Sequence, residues 1–209
     1  MINWKKYFKK QIGRKPREQL VRAVSIFKKQ KDKHFLYNNS HLNKTALDLG
    51  SGTMIESKYL VRKGFNVVAI DNSRDAKKYA KNVSKKITYK NISFQEYDFS
   101  KKKFDLINSQ FSLHLYGKKG VNIFIKKIKH SLKPKGIFVA QFLGKKDSWN
   151  SSLKTATPQA QYVFHTKKQA LALLSGLKIL EFKEEDKDGK TILGKPKHWH
   201  IFYFIAQKR

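Results

Sequence analysis

The sequence predicts an α/β fold organised around a mainly parallel sheet, on two observations. From residue 45 onward, short apolar runs of four to eight residues alternate with stretches whose apolar side chains recur at helical spacing. Several of those runs end at a glycine or an aspartate, where a strand gives way to a turn and then a helix. Alternation at this spacing demands crossover connections, and crossovers generate parallel strands.

Before the alternation begins, Trp4, Tyr7 and Phe8 mark a short helix, and Leu20, Ala23, Val24 and Phe27 mark a longer one, with Pro16 suited to its first turn. Residues 1–43 thus read as basic lead-in helices. The first strand covers residues 45–49 and ends in Gly50-Ser51-Gly52; a helix follows to about Arg62, with Gly64 placed to end it in a left-handed conformation. Residues 67–70 form a second strand stopped by Asp71, and Asn72 or Ser73 caps the next helix. Strands are expected again over residues 92–98 and 104–108. Val121, Phe124, Ile125, Ile128 and Leu132 share one helical face that Pro134 closes, and residues 136–143 form the next strand. Thr166 and Gln169 have the spacing of a capping box ahead of a helix ending near Gly176, and two last strands fall at about 178–183 and 199–206. No linker or internal repeat divides the 209 residues, so a single domain over 1–209 is expected.

Composition narrows the chemistry. Without cysteine there are no disulfides, thiolate metal sites or thiol nucleophiles. The longest apolar run, residues 201–206, is far too short to span a bilayer, and residues 1–6 carry no apolar signal core, so a soluble cytoplasmic protein without a membrane partner is expected. A net charge of +31 attracts phosphate backbones, yet 40 of the 46 basic residues are lysine and they are scattered. Nucleic acid is therefore a possible partner but not the favoured one.

In a parallel sheet ligands bind beyond the carboxyl ends of the strands. Asp48-Leu49-Gly50-Ser51-Gly52 follows the first; its glycines permit a tight turn and close backbone approach, while Ile55 breaks the dinucleotide pattern Gly-x-Gly-x-x-Gly. Asp71, nineteen residues beyond Gly52, is positioned to accept hydrogen bonds from a ribose, or alternatively to cap a helix. Asp98 and Phe99 offer an acceptor for an exocyclic amine and an apolar face for a purine. Asn108, Ser109, Gln110 and Phe111 place small polar groups at the next strand end. Together these describe an adenosine site without phosphate binders.

At this point the sequence resembles the class I S-adenosylmethionine-dependent methyltransferases, through residues 46–53, 68–73, 98–99, 104–109 and 132–136. Residues 141–150, 164–166, 181–188 and 197–202 resemble a subset of small bacterial enzymes akin to tellurite-resistance-type methyltransferases. Two departures are Met54, where a smaller or polar residue is commoner, and Lys135 in place of glycine. The resemblance implies a Rossmann-like seven-stranded, mostly parallel sheet with its last strand antiparallel, helices on both faces, and S-adenosyl-L-methionine as cofactor. By the same resemblance Gly50, Ser51 and Gly52 pass close to the methionine part and the ribose, Asp48 orients that loop, Asp71 with neighbouring Asn72 holds the ribose, Asp98 and Phe99 the adenine, and Ser109 the methionyl end. Tyr7 and Arg14 are candidates to close over the cofactor, Arg14 pairing with its carboxylate.

A sulfonium donor needs no covalent nucleophile from the protein; the work is in-line positioning and exclusion of water. His114 is a candidate base, or else a surface-loop histidine. Asp147, Trp149, His198 and His200 are expected to wall the acceptor pocket, with residues 144–165 as the insertion that shapes it. His198 and His200 share a strand face, but no third ligand is assigned, so no metal is expected. The acceptor is expected to be a small molecule; the alternatives are a nucleic-acid acceptor or a binding module that holds the cofactor without turnover. The strand end Asn108-Ser109-Gln110-Phe111 lacks the Asn/Asp-Pro-Pro-aromatic run of enzymes that methylate amino groups of flipped bases.

Overall fold

The computed structural model describes residues 3–32, 44–101, 103–152 and 162–209. Its centre is a parallel pair, β1 (Lys44–Leu49) and β4 (Phe104–Ser109). On one side of β1 lie β2 (Phe65–Ile70) and β3 (Ile87–Lys90), both parallel to it; beyond β4 lie β5 (Leu132–Gly144), β8 (Pro196–Lys208) and β7 (Leu177–Lys190). The order is β3-β2-β1-β4-β5-β8-β7, and β8 runs antiparallel to both its neighbours. A two-residue eighth strand, β6 (Phe164–His165), adds to the end of β5. The sheet is thus seven strands along its main path, mostly parallel, with the last strand reversed.

The central strands are apolar on both sides because both sides are covered. On one face Leu47, Ile107, Phe138 and Phe204 pack with Val121, Phe124 and Ile128 of α5 (Gly117–Ser131). On the other, Ala46, Val67, Leu106 and Val139 pack with Leu20, Ala23, Val24 and Phe27 of α2 (Glu18–Asp32) and Leu60 of α3 (Ile55–Arg62). The short α1 (Trp4–Gln11) precedes α2, and α4 (Arg74–Lys77), α6 (Ser148–Ser152) and α7 (Lys167–Leu173) complete the helices, α7 opening with the Thr166–Gln169 capping box. Among the described residues no helix is long and apolar enough to cross a membrane.

Three local readings differ. Residues 92–98 are not a strand: β3 ends at Lys90, and Phe94, Tyr97 and Phe99 pack the core from a turn-rich connection. Apolar residues two apart at 92 and 94 and again at 97 and 99 imitate a strand, but Gln95 and Glu96, both exposed, break the alternation between Phe94 and Tyr97 at the turn. The last two strands run longer than hydropathy indicates, since the polar residues 183–190 pair in register with 196–203 and are held by the backbone ladder. Pro134 lies inside β5; α5 ends at Ser131, and the β4–β5 register shifts between Phe104 and Leu106. Lys135 at that irregularity and Met54 before α3 adopt φ of 60° and 61°, a region that costs a side-chain-bearing residue about 1–2 kcal/mol. Both departures noted in the sequence therefore fall at strained backbone positions, a property they share with Asn82 and Phe111.

Candidate active site

Between β2 and β4, β1 sits where the chain reverses its direction of winding, and a cleft opens at the carboxyl ends of these strands. The loop after β1 builds its floor. Gly50 (φ 76°) and Ser51 donate their backbone N–H groups to the Ile70 carbonyl at 2.9 and 3.0 Å. A Cβ on Gly50 would stand 2.7 Å from that of Ser112, so this position excludes any larger residue. Asp71 ties the first two strand ends together: one carboxylate oxygen accepts from Gly52 N–H at 2.9 Å, the other from Ser73 N–H at 2.8 Å. Burial raises its pKa and the two N–H groups oppose the rise. Ser73, not Asp71, caps α4, its hydroxyl accepting from Asp75 N–H. Asn72 lines the cleft beside it.

Asp48 lies beneath the glycine turn, fully buried, accepting from Ser57 Oγ at 2.5 Å and Asn108 Nδ2 at 2.8 Å. Burial, reinforced by the nearby Glu56 charge, pushes its pKa up to about 7. Ionising it therefore opposes folding: the unfolded carboxyl loses its proton near pH 3.8, the folded one near 7, so stability is lost as pH rises between those values. Asp48→Asn is expected to be more stable than the parent, by a margin that grows about 2.5 kcal/mol between pH 5 and 7.5. Thermal unfolding of both proteins across that range checks the sign.

The lead-in helices roof the cleft. Tyr7 lines it, and the Phe8 ring lies 3.1 Å from where a Cβ on Gly52 would sit. Arg14 also lines it, but both its terminal nitrogens already donate to Glu56, at 2.7 and 2.8 Å, and its Nε to Gln11. Arg17 places its guanidinium 4.2 Å above the Phe111 ring. Three cleft-lining atoms are buried without a hydrogen-bond partner: Ser51 Oγ, Gln110 Oε1 and Arg17 Nε. A glycine-walled cleft with unmet polar atoms fits a nucleoside carrying an amino-acid tail, as S-adenosylmethionine does.

The other anticipated residues fall elsewhere. Asp98 is exposed, accepting from the backbone and hydroxyl of Ser100, and Phe99 is buried edge-on to Tyr97; neither lines the cleft. Phe94 does, four residues after β3, and a correct end for that strand would have pointed to it. Ser109 lies under the cleft rather than in its lining, hydrogen-bonded to Ser112, whose hydroxyl donates to the Leu49 carbonyl.

Asp147, Trp149 and His200 do come together, around a residue the sequence reading passed over, Lys197. Its ammonium is buried against Asp147 and lies 3.9 and 4.4 Å from the ring centroids of Trp149 and Trp199. Asp147 also accepts from Trp149 N–H at 3.0 Å and His200 N–H at 3.4 Å, and His200 Nε2 is 3.0 Å from Glu184. His198 bridges Asp188 and Asp186, each at 2.8 Å, and these carboxylates raise its pKa. His114 is buried edge-on to Tyr162 beside Trp149, where burial lowers its pKa to about 3. None of these lines the cleft; Phe111, packed edge-on to Trp199, connects the cluster to it. Of the anticipated insertion, residues 153–161 lie outside the described residues.

Residues 47–140, just under half of the chain, match the family model of the methyltransferase domain. Those residues are a methyltransferase domain, and the sheet that carries them has the Rossmann-like methyltransferase fold. Among solved structures it is similar to TehB from Haemophilus influenzae, at 17% identity and a TM-score of 0.68, over 99% of this chain and 67% of that one. It is similar to the Burkholderia thailandensis 1,6-didemethyltoxoflavin-N1-methyltransferase, with bound 1,6-didemethyltoxoflavin and S-adenosylhomocysteine, at 17% identity and a TM-score of 0.60, over 91% and 78% of the two chains. The N-methyltransferase NodS from Bradyrhizobium japonicum WM9 is similar at 13% identity and a TM-score of 0.61, over 99% of both chains. No curated protein sequence matches the chain.

Proposed function

We propose that the chain is an S-adenosylmethionine-dependent methyltransferase acting on a small-molecule acceptor that enters on the β4–β5 side of the cleft. The observation that carries the reading is the division of the cleft: the carboxylate of Asp71 and the glycine turn lie at the ends of β1 and β2, while Gln110 and Phe111, backed by Trp199, stand at the end of β4. In this reading Asp71 and Asn72 hold the ribose, Gly50, Ser51 and Gly52 let the backbone approach the methionine part, Phe94 supplies the apolar face for the adenine, and Tyr7 covers the cofactor from above. The Asp98 and Phe99 assignment is withdrawn, because neither side chain lines the cleft.

When bound, S-adenosylmethionine supplies a methyl group on a sulfonium, already activated for transfer. The chain's own work is then positional: Trp4, Tyr7 and Phe8 exclude water above, and the Asp71 clasp on Gly52 and Ser73 keeps two strand ends in register. Burial lowers the His114 pKa to about 3, and His114 is not among the residues lining the cleft, which supports a place in the aromatic cluster rather than a part in proton transfer. The similarity to a methyltransferase with 1,6-didemethyltoxoflavin bound supports a small acceptor, and a cytoplasmic setting is part of the same reading.

The test is label transfer from methyl-labelled S-adenosylmethionine to a bacterial metabolite extract and, separately, to total RNA. Label appearing in small molecules and not in RNA is the expected result; label in RNA alone overturns it.

A further inference from the structure

Arg17 is a cation in the cleft whose guanidinium has no ion-pair partner among the described residues. Its side chain makes no hydrogen bond or ion pair among the described residues, and its Nε is buried without a partner. The nearest carboxylate, Glu56, is engaged on both oxygens by Arg14, and it meets Arg17 only at the backbone N–H, 3.2 Å away. Burial lowers the Arg17 pKa and the Arg14 charge lowers it further, while Glu56, already paired with Arg14, only partly opposes them. Such a group is costly to keep unless a ligand completes it.

Its surroundings say which part of the cleft it serves. The guanidinium carbon lies 4.2 Å from the Phe111 ring centroid, a cation–π contact, and Phe111 is held at φ 52°, a strained conformation for an aromatic residue. Phe111 leads away from Asp71 toward Trp199. On the same side the charge of Arg17 acts on Tyr203 of β8, which pairs across the sheet with Gln141 of β5. Gln141 is buried with neither its amide nitrogen nor its amide oxygen partnered.

We infer that the methyl acceptor carries a carboxylate or a similar planar oxyanion, and that Arg17, backed by Phe111, is the residue that binds it. This rests on the small-molecule reading above and deepens it. The fork of the guanidinium matches two oxygens of such a group, while Phe111 fixes the plane of the fork. Gln141 is buried outside the cleft lining and takes no part in the site. A net charge of +31 adds a field that draws anions toward the protein and holds cations off. The cofactor's own carboxylate is the other source of the same chemistry, and the experiment separates the two.

A bacterial metabolite extract is divided on an anion exchanger into retained and unretained fractions, and each is offered to the enzyme with methyl-labelled S-adenosylmethionine. Transfer is expected in the retained fraction only. Arg17→Ala is expected to reduce it at least tenfold, and Arg17→Lys, which keeps the charge and loses the fork, by less. Calorimetry is expected to find S-adenosylmethionine affinity within twofold of the parent in both variants. Transfer confined to the unretained fraction overturns the inference and leaves the small-molecule reading standing. A tenfold loss of cofactor affinity in Arg17→Ala also overturns it, placing Arg17 at the cofactor's carboxylate. Tight cofactor binding with no transfer to either fraction overturns the small-molecule reading and this inference with it.

Discussion

Replacing Lys197 with alanine is expected to lower folding stability by about 3–5 kcal/mol, the cost of leaving a buried charge without its partner. The charge in question is Asp147, which is 1% exposed and otherwise accepts from the backbone N–H groups of Trp149 and His200. The variant also empties the space between Trp149 and Trp199, and with it two cation–π contacts. In a chain of this length such a loss lowers the melting temperature by roughly 10 °C. Urea unfolding of Lys197→Ala, Lys197→Met and the double variant Asp147→Asn/Lys197→Met measures it. The double variant is expected to recover much of the loss, because it removes both charges and keeps the apolar stem between the rings. A Lys197→Ala protein as stable as the parent would mean that the pair is hydrated in solution.

Asp71→Ala is expected to weaken S-adenosylmethionine binding at least tenfold, or about 1.4 kcal/mol. Two consequences of the substitution act together. The ligand loses the carboxylate proposed to accept from its ribose, and Gly52 N–H and Ser73 N–H lose the acceptor that clamps the β1 and β2 loops. Asp71→Asn separates them: one amide oxygen can satisfy one loop N–H, so the clamp is half retained while the charge is gone. Titration calorimetry of both variants gives the comparison. Unchanged affinity in Asp71→Ala would remove Asp71 from the ribose role and leave it as a loop clamp alone.

Much of the site could be read from residue order because strand ends announce themselves locally. An apolar run stopped by Gly50 or Asp71 marks both the strand and its ligand-facing tip, and each of those residues lines the cleft. The same logic failed one strand later for a physical reason. Phe94, Tyr97 and Phe99 are all buried, yet they belong to a connection with turns, so periodicity placed the strand end at Asp98 when the backbone had already left the sheet at Lys90. Arg14 was expected to await a carboxylate; Glu56, forty-two residues away, already supplies one.

From the sequence by itself came the α/β class, the reading of a mostly parallel sheet with its last strand reversed, the glycine turn, and Asp71 as the acid of the second strand end. These follow from local spacing, conformational preference and family resemblance, all of which survive in one dimension. Only the tertiary structure decided which charges meet. It closed Arg14 on Glu56, left Arg17 open over Phe111, and buried Lys197 between two tryptophans against Asp147. It also decided why residue 144 is glycine: a Cβ there would fall 2.0 Å from the His200 ring, across the β5–β8 pair. Electrostatic pairing and close packing depend on distances between residues far apart in the chain, and those distances exist only once the sheet has formed.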